Sequence, residues 1–185
     1  MKATSICESK NSGRSVQNYE TQEMIVKLTL IIAALSVTSI SNAQNYWKHE
    51  GSTATTSITT DGRKGVVFVT LLVYFNPEFN CSPEIGLIMS QGRKLGVYRK
   101  HQYASDVMYI RVDLNRRWTG DTLLIEYSNG FELGFRAHKS TMNNVISELK
   151  TGNEVKVTTS SIYTEFLFSL NGSNSAIAMA NASCH

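Results

Sequence analysis

The run from Val66 to Phe75, VVFVTLLVYF, constrains the fold more than any other segment of the chain. It is continuously apolar and β-branched, which is typical of a strand that is buried on both faces. The turn signal Asp61-Gly62 precedes it, and Asn76-Pro77 ends it. We therefore predict that Val66–Phe75 is the central strand of a β-rich domain.

Further strand-like stretches lie on both sides of this run. Glycine-containing turns separate two pairs of them, so Gln91–Lys94 and Asn129-Gly130 are each predicted to connect a β-hairpin. Between Val107 and Leu114, alternation predicts that Met108, Ile110, Val112 and Leu114 point inward. The other predicted strands are Thr53–Thr60, Glu84–Ser90, Leu95–Lys100, Leu123–Tyr127, Phe131–Arg136, Glu154–Thr159 and Tyr163–Leu170.

Two short helices are predicted in the C-terminal half. Ser140 can cap the first, whose apolar positions recur at intervals of three and four residues before Gly152. The second begins at Ser173 or Asn174, is rich in alanine and ends near Cys184. Many strands with two short helices predict a mainly β fold, namely a single antiparallel β-sandwich that spans residues 44–185.

The segment Met24–Ala43 resembles a bacterial secretory signal peptide. Lys27 precedes the apolar run Leu28–Leu35, and Ser41-Asn42-Ala43 offers the small–x–small spacing of a cleavage site. We predict cleavage near Ala43-Gln44, a periplasmic or secreted mature protein, and no stable membrane insertion after cleavage. A membrane anchor is the alternative. Residues 1–23 form a polar extension, and the true start of translation could be Met24.

The chain contains three cysteines, Cys7, Cys81 and Cys184. Cleavage after Ala43 would remove Cys7 and leave an even number in an oxidising compartment. We predict a Cys81–Cys184 disulfide. The alternative is two unrelated buried thiols.

Composition and motifs exclude several classes of function. The net charge of +3 is too small to indicate nucleic-acid binding. The sequence lacks a nucleophile elbow, a zinc-protease motif and a phosphate-binding loop, so we predict no catalytic residue, no metal site and no cofactor. His101 with Asp106, or His138 with Glu132, could form an acid–base pair. Solvent-exposed loop histidines explain these residues equally well.

Aromatic and arginine side chains are the candidate binding residues, because such side chains often anchor protein interfaces. The preferred contact element is the loop Asn115–Asp121, NRRWTGD, which contains Arg116, Arg117 and Trp118. Tyr98 and Arg99 complete the predicted set. The alternative for Trp118 is a structural role as a plug at one end of the core.

The segment Val107–Cys184 resembles two groups of exported proteobacterial β-proteins. The similarity consists of Arg111-Val112-Asp113, the helix Asn143–Lys150 with Gly152, the strand Glu154–Thr158, and then Phe168–Gly172, Ala176 and Cys184. The two groups are the invasion-associated locus B family and the TagO/VasI accessory proteins of type VI secretion. The resemblance implies a non-enzymatic, disulfide-containing periplasmic domain that binds a partner.

Two hypotheses follow for the function. The first is a periplasmic protein-binding module, either a secretion accessory or an immunity-type inhibitor of a toxic partner. It could also dimerise through an exposed sheet edge. The alternative is a small cell-envelope hydrolase or small-ligand binder.

Overall fold

A computed structural model of the chain describes residues 46–62, 65–92, 95–160 and 164–185. The predicted extension (1–23) and signal segment (24–43) lie outside these residues. The helices of the described part are α1 (Lys139–Thr151) and α2 (Ser173–Ala182). Its strands are β1 (Lys48–Glu50), β2 (Thr53–Gly62), β3 (Gly65–Asn76), β4 (Ser82–Ser90), β5 (Tyr98–Val112), β6 (Trp118–Tyr127), β7 (Gly130–Arg136), β8 (Glu154–Thr159) and β9 (Phe166–Ser169).

The described strands form one antiparallel sheet in the order β1-β2-β3-β4-β7-β6-β5-β8-β9. The sheet curls until β2 contacts β9, although six strands lie between them. Trp47, just before β1, crosses this gap, because its indole Nε1 donates a hydrogen bond to the Ser169 carbonyl oxygen at 3.0 Å. The prediction of a mainly antiparallel β fold with two C-terminal helices is confirmed. The described strands, however, pair as a half-barrel rather than as two stacked sheets.

The core lies on the inner face of the curled sheet. Each helix buries one apolar stripe: α1 contacts β4 and β5, and α2 contacts β1, β2 and β3. The fully buried larger side chains are Phe168, Leu71, Ile85, Leu87, Met108, Ile110, Leu149, Ile177, Val69, Val73 and Val112.

Strand β3 is less buried than its composition predicted. Val69, Leu71 and Val73 face the core with no exposed surface, whereas Val66 is half exposed. The strand is third in the sheet, so its outer face is only partly covered. An apolar run indicates a strand, but it does not show whether both faces of that strand are buried or only the face inside a curled sheet.

The predicted hairpin across Gln91–Lys94 is wrong. Strand β4 pairs with β3 and β7, and the chain leaving β4 passes around the β6–β7 turn before it enters β5. Backbone hydrogen bonds fix this path, from Gln91 N to the Asn129 carbonyl oxygen and from Ser128 N to the Val97 carbonyl oxygen, both at 2.9 Å. The predicted strands Leu95–Lys100 and Val107–Leu114 instead overlap the two ends of one long strand, β5.

Buried threonines on the inner face of the sheet differ in whether their hydroxyl group has a hydrogen-bond partner. Within the described residues, the hydroxyls of Thr56 and Thr60 have no hydrogen-bond partner. The Thr122 hydroxyl, in contrast, donates to the Asp106 carbonyl oxygen at 3.1 Å. A buried hydroxyl without a partner costs about 1–3 kcal/mol of stability, whereas a satisfied one contributes about 1 kcal/mol.

We expect Thr56→Val and Thr60→Val each to raise the free energy of unfolding by about 1 kcal/mol. Thr122→Val should lower it by a similar amount, since it removes the hydrogen bond that the Thr122 hydroxyl donates to the Asp106 carbonyl oxygen. Urea denaturation of the three variants measures the sign. Equal destabilisation by all three would show that ordered water satisfies Thr56 and Thr60.

Candidate functional site

The loop between β5 and β6 is anchored by Asp113, which adopts a positive φ of 49°. The Asp113 carboxylate accepts hydrogen bonds from the backbone N–H groups of Asn153 at 3.1 Å and Glu154 at 2.9 Å. Arg111 Nε donates to the Asp113 carbonyl oxygen at 3.3 Å. These contacts join the start of the loop to the first residues of β8 and limit its movement.

Arg116 and Arg117 are exposed, and each lies over an aromatic ring. The guanidinium carbon of Arg116 is 3.5 Å from the centroid of the Trp118 ring. That of Arg117 is 4.4 Å from the Tyr109 ring centroid. Neither guanidinium forms an ion pair with another described residue. The loop therefore presents two positive charges that are held by cation–π contacts and that no described carboxylate neutralises.

Trp118 itself belongs to the core. It is 7% exposed, it lies opposite Ile110 in the sheet, and its indole Nε1 donates to Glu148 Oε2 on α1 at 2.9 Å. Its position agrees with the alternative considered from the sequence, in which the ring plugs one end of the core. Trp118 supports Arg116 from below and presents little surface of its own.

Leu114 was predicted to point inward, and this is wrong, because it is 89% exposed. Strand β5 ends at Val112, and the positive φ of Asp113 then turns the chain out of the sheet. An alternating pattern does not show where a strand ends. The predicted inward positions therefore continued from Val112, the last residue of β5, to Leu114. Leu114 adds an exposed apolar side chain to the same loop as the two arginines.

Tyr98 and Arg99 lie at the opposite end of the β5–β6 hairpin. Tyr98 pairs with Tyr127, whereas Ile110 pairs with Trp118. Trp118 and Tyr127 are nine residues apart on β6, so at about 3.3 Å per residue the two groups are roughly 30 Å apart. Tyr98 is half exposed and packs edge-to-face on Tyr127 with ring centroids 6.2 Å apart. The five predicted binding residues therefore form two separate groups.

His138, one of the two histidines considered for hydrolysis, has a structural role in the described contacts. His138 is the N-cap of α1, where its Nδ1 lies 2.9 Å from Ser140 Oγ. The sequence predicted Ser140 as the cap, but Ser140 is the second residue of the helix. The side chain of His101 lies outside the described residues. Its proposed partner Asp106 is buried, and it accepts hydrogen bonds from Val107 N and Ser160 Oγ.

The carboxylates of Glu126 and Glu132 lie on opposite faces of the sheet. Glu126 lies opposite the buried Phe131 on the inner side of the sheet and is 3.9 Å from Lys100 Nζ. Glu132, opposite Ile125, is on the outer side. In the part of the chain that the structure describes, no three His, Cys, Asp or Glu side chains could hold a metal ion.

Glu132 is the titratable group whose surroundings are most unusual. Burial on the outer face of β7 raises its pKa above the ordinary value of 4.5, and the nearby charge of Glu84 acts in the same direction. A hydrogen bond from Tyr127, at 3.5 Å, opposes this shift. Burial and the Glu132 charge also raise the pKa of Tyr127.

We expect Glu132→Gln to reduce the dependence of stability on pH. Because folding raises the pKa of Glu132, the native state binds its proton more tightly than the unfolded state does. The wild type should therefore lose stability as the pH rises from 4.5 through the folded pKa, and Glu132→Gln should lose less. Urea unfolding of both proteins between pH 4 and pH 8 measures this difference, and parallel curves would contradict it.

Comparisons with family models, with curated proteins and with solved structures give no match to this chain. Neither helix of the described part is long and apolar enough to cross a membrane. Function must therefore be argued from the geometry of the molecule itself.

Proposed function

We propose that this chain is an exported, non-enzymatic protein-binding module whose contact surface is the β5–β6 loop. The mature protein would work in the periplasm or outside the cell after cleavage near Ala43-Gln44. It would act as a secretion accessory or as an immunity-type inhibitor of a toxic partner, as the resemblance to exported β-proteins implies. The Cys81–Cys184 disulfide supports an oxidising compartment.

The proposal rests on three exposed side chains of this loop, Leu114, Arg116 and Arg117. Flexible charged side chains lose rotamer freedom when they bind, which costs about 0.5–1.5 kcal/mol for each side chain. Stacking over Trp118 and Tyr109 restricts both arginines before binding, so less of this entropy remains to be lost. An exposed leucine beside them supplies apolar surface for the centre of an interface.

The chemistry of the loop defines the partner. Two guanidinium groups that have no ion-pair partner among the described residues favour carboxylates, which they can bind through paired hydrogen bonds. Such charges also accelerate association with an acidic surface. The partner would therefore present an acidic patch with a shallow apolar depression for Leu114, as an inhibited enzyme with acidic catalytic residues does.

Capture from the periplasm with a C-terminal tag and gentle crosslinking tests the proposal. We expect the wild type to retain one stoichiometric protein, and the double variant Arg116→Ala/Arg117→Ala to lose it while keeping its fold. The charge-matched control is Lys48→Ala/Lys139→Ala, which removes two exposed cations elsewhere. This control should keep the partner.

A second double variant, Tyr98→Ala/Arg99→Ala, separates the two ends of the hairpin. If it loses the partner and the arginine variant keeps it, the β5–β6 loop is not the contact surface. Absence of any partner, together with turnover of a peptidoglycan, lipid or ester substrate, would replace the binding function with the hydrolase alternative.

A further inference from the structure

A groove lies where α1, α2 and the disulfide meet. It consists of two cavities of about 550 and 460 Å³ that share Lys150 and Asn174. Both are shallow and open to solvent, so the groove suits a ligand that lies along the surface and keeps one side exposed. Cys81 lines the first cavity, and the start of α2 lines the second.

The polar part of the groove consists mainly of side-chain amides. Asn143 on α1, and Asn174 and Asn181 on α2, line the first cavity. All three are exposed, and within the described chain their side chains form no hydrogen bond. An asparagine amide offers two donors and an acceptor, which matches the N–H and C=O groups of a peptide bond.

Lys150 gives the groove its charge. It lines both cavities, and no other charged residue appears among the described residues that line them. Lys150 is half-buried and has no ion-pair partner in the described part of the chain. A partly desolvated cation without a counter-charge favours an anionic group on the ligand.

The apolar lining of the first cavity consists of Phe75, Pro83 and Ile146. Phe75 is only 4% exposed, so its ring offers no open face on which a sugar could stack. Small apolar surfaces of this kind suit an aliphatic side chain. The lining therefore favours a peptide over a saccharide.

The length of the groove sets the size of the ligand. Asn143 and Lys150 are seven residues apart on α1, which corresponds to about 10 Å along the helix axis. An extended peptide covers this distance with about three residues. We propose that the groove binds a short extended peptide with a free carboxylate at Lys150, its backbone on the three asparagines and one aliphatic side chain against Ile146.

Titration of ¹⁵N-labelled full-length protein tests this site. The probes are acetylated tetrapeptides that contain three alanines and one leucine, with the leucine placed at each of the four positions and a free C-terminal carboxylate. We expect the side-chain amide signals of Asn143, Asn174 and Asn181 to shift with at least one peptide at millimolar concentration. The same peptides with amidated C-termini should bind about tenfold more weakly.

Two variants keep the test specific to Lys150. Lys150→Gln should remove the preference for the free carboxylate, and Lys150→Arg should retain it. Lys156→Gln is the matched control, because Lys156 is ion-paired with Glu165 at 3.0 Å and lines neither cavity. Absence of shifts with all four peptides, or equal binding of free and amidated forms, would overturn the proposal. Shifts in these amides with acidic oligosaccharides alone would also overturn the assignment to a peptide.

Discussion

Replacing Trp118 by alanine should lower the free energy of unfolding by about 3–5 kcal/mol, which is the usual cost of removing a buried tryptophan. The ring is 7% exposed and packs opposite Ile110, which is fully buried. Its indole N–H also donates to Glu148 Oε2 at 2.9 Å, so the substitution breaks a contact between the sheet and α1. Urea denaturation monitored by circular dichroism measures the loss.

Two variants distinguish the components of this effect. Trp118→Phe keeps most of the apolar volume but removes the hydrogen bond to Glu148. Its free energy of unfolding should therefore lie between those of the wild type and Trp118→Ala. Arg116→Ala removes only the exposed cation–π contact, worth about 0.5–1 kcal/mol. An alanine variant as stable as Arg116→Ala would show that Trp118 is not part of the core.

This prediction also changes how the β5–β6 loop must be tested for binding. Loss of partner capture in Trp118→Ala would not distinguish a lost contact from a lost fold. Arg116 and Arg117 can be replaced with little effect on the core, because both are exposed. They are therefore the informative substitutions at this surface.

The sequence predicted where strands occur far better than how they pair. Asn129-Gly130 correctly indicated a hairpin between β6 and β7, although the turn residues are Ser128 and Asn129 and Gly130 already pairs with Tyr127. A two-residue turn decides the pairing of its own flanking strands. Gln91–Lys94 carried a similar local signal, yet β4 pairs with β7 instead. There the connection is long enough to pass over another turn, so tertiary contacts decide the partner.

The curvature of the sheet could not be predicted from the sequence either. The contact that bridges its two ends joins Trp47 to Ser169, which are 122 residues apart, and no local pattern connects them. Periodicity reports which face of a strand is buried, but it does not report whether that face meets a second sheet or the far end of the same sheet. The choice between a sandwich and a half-barrel therefore required the structure.

The candidate sites were predictable to different extents. Arg116 and Arg117 were identified because arginines beside an aromatic residue are typical of interfaces. Leu114 was missed because its exposure depends on the backbone of Asp113. The groove was missed because Asn143, Lys150 and Asn181 come from different helices, and single asparagines on a helix surface carry no recognisable motif.

Reducing the disulfide should destabilise the protein by up to about 4–5 kcal/mol, because the bond closes a loop of roughly 100 residues. The structure joins Cys81, just before β4, to Cys184, just after α2, with their Cα atoms 5.9 Å apart. The bond confirms the predicted pairing and holds the end of α2 beside the sheet. For a domain of this size, we expect the melting temperature to fall by roughly 10 °C.

Calorimetry of the full-length protein with and without reductant measures this shift. Cys7→Ser provides the background in which no third thiol can exchange with the bond, and by itself it should leave the melting temperature unchanged. The double variant Cys81→Ser/Cys184→Ser should melt near the reduced protein, even in the absence of reductant. Free alkylation of both thiols in protein taken from the periplasm, with a melting curve that reductant does not move, would contradict both the bond and its stabilising role.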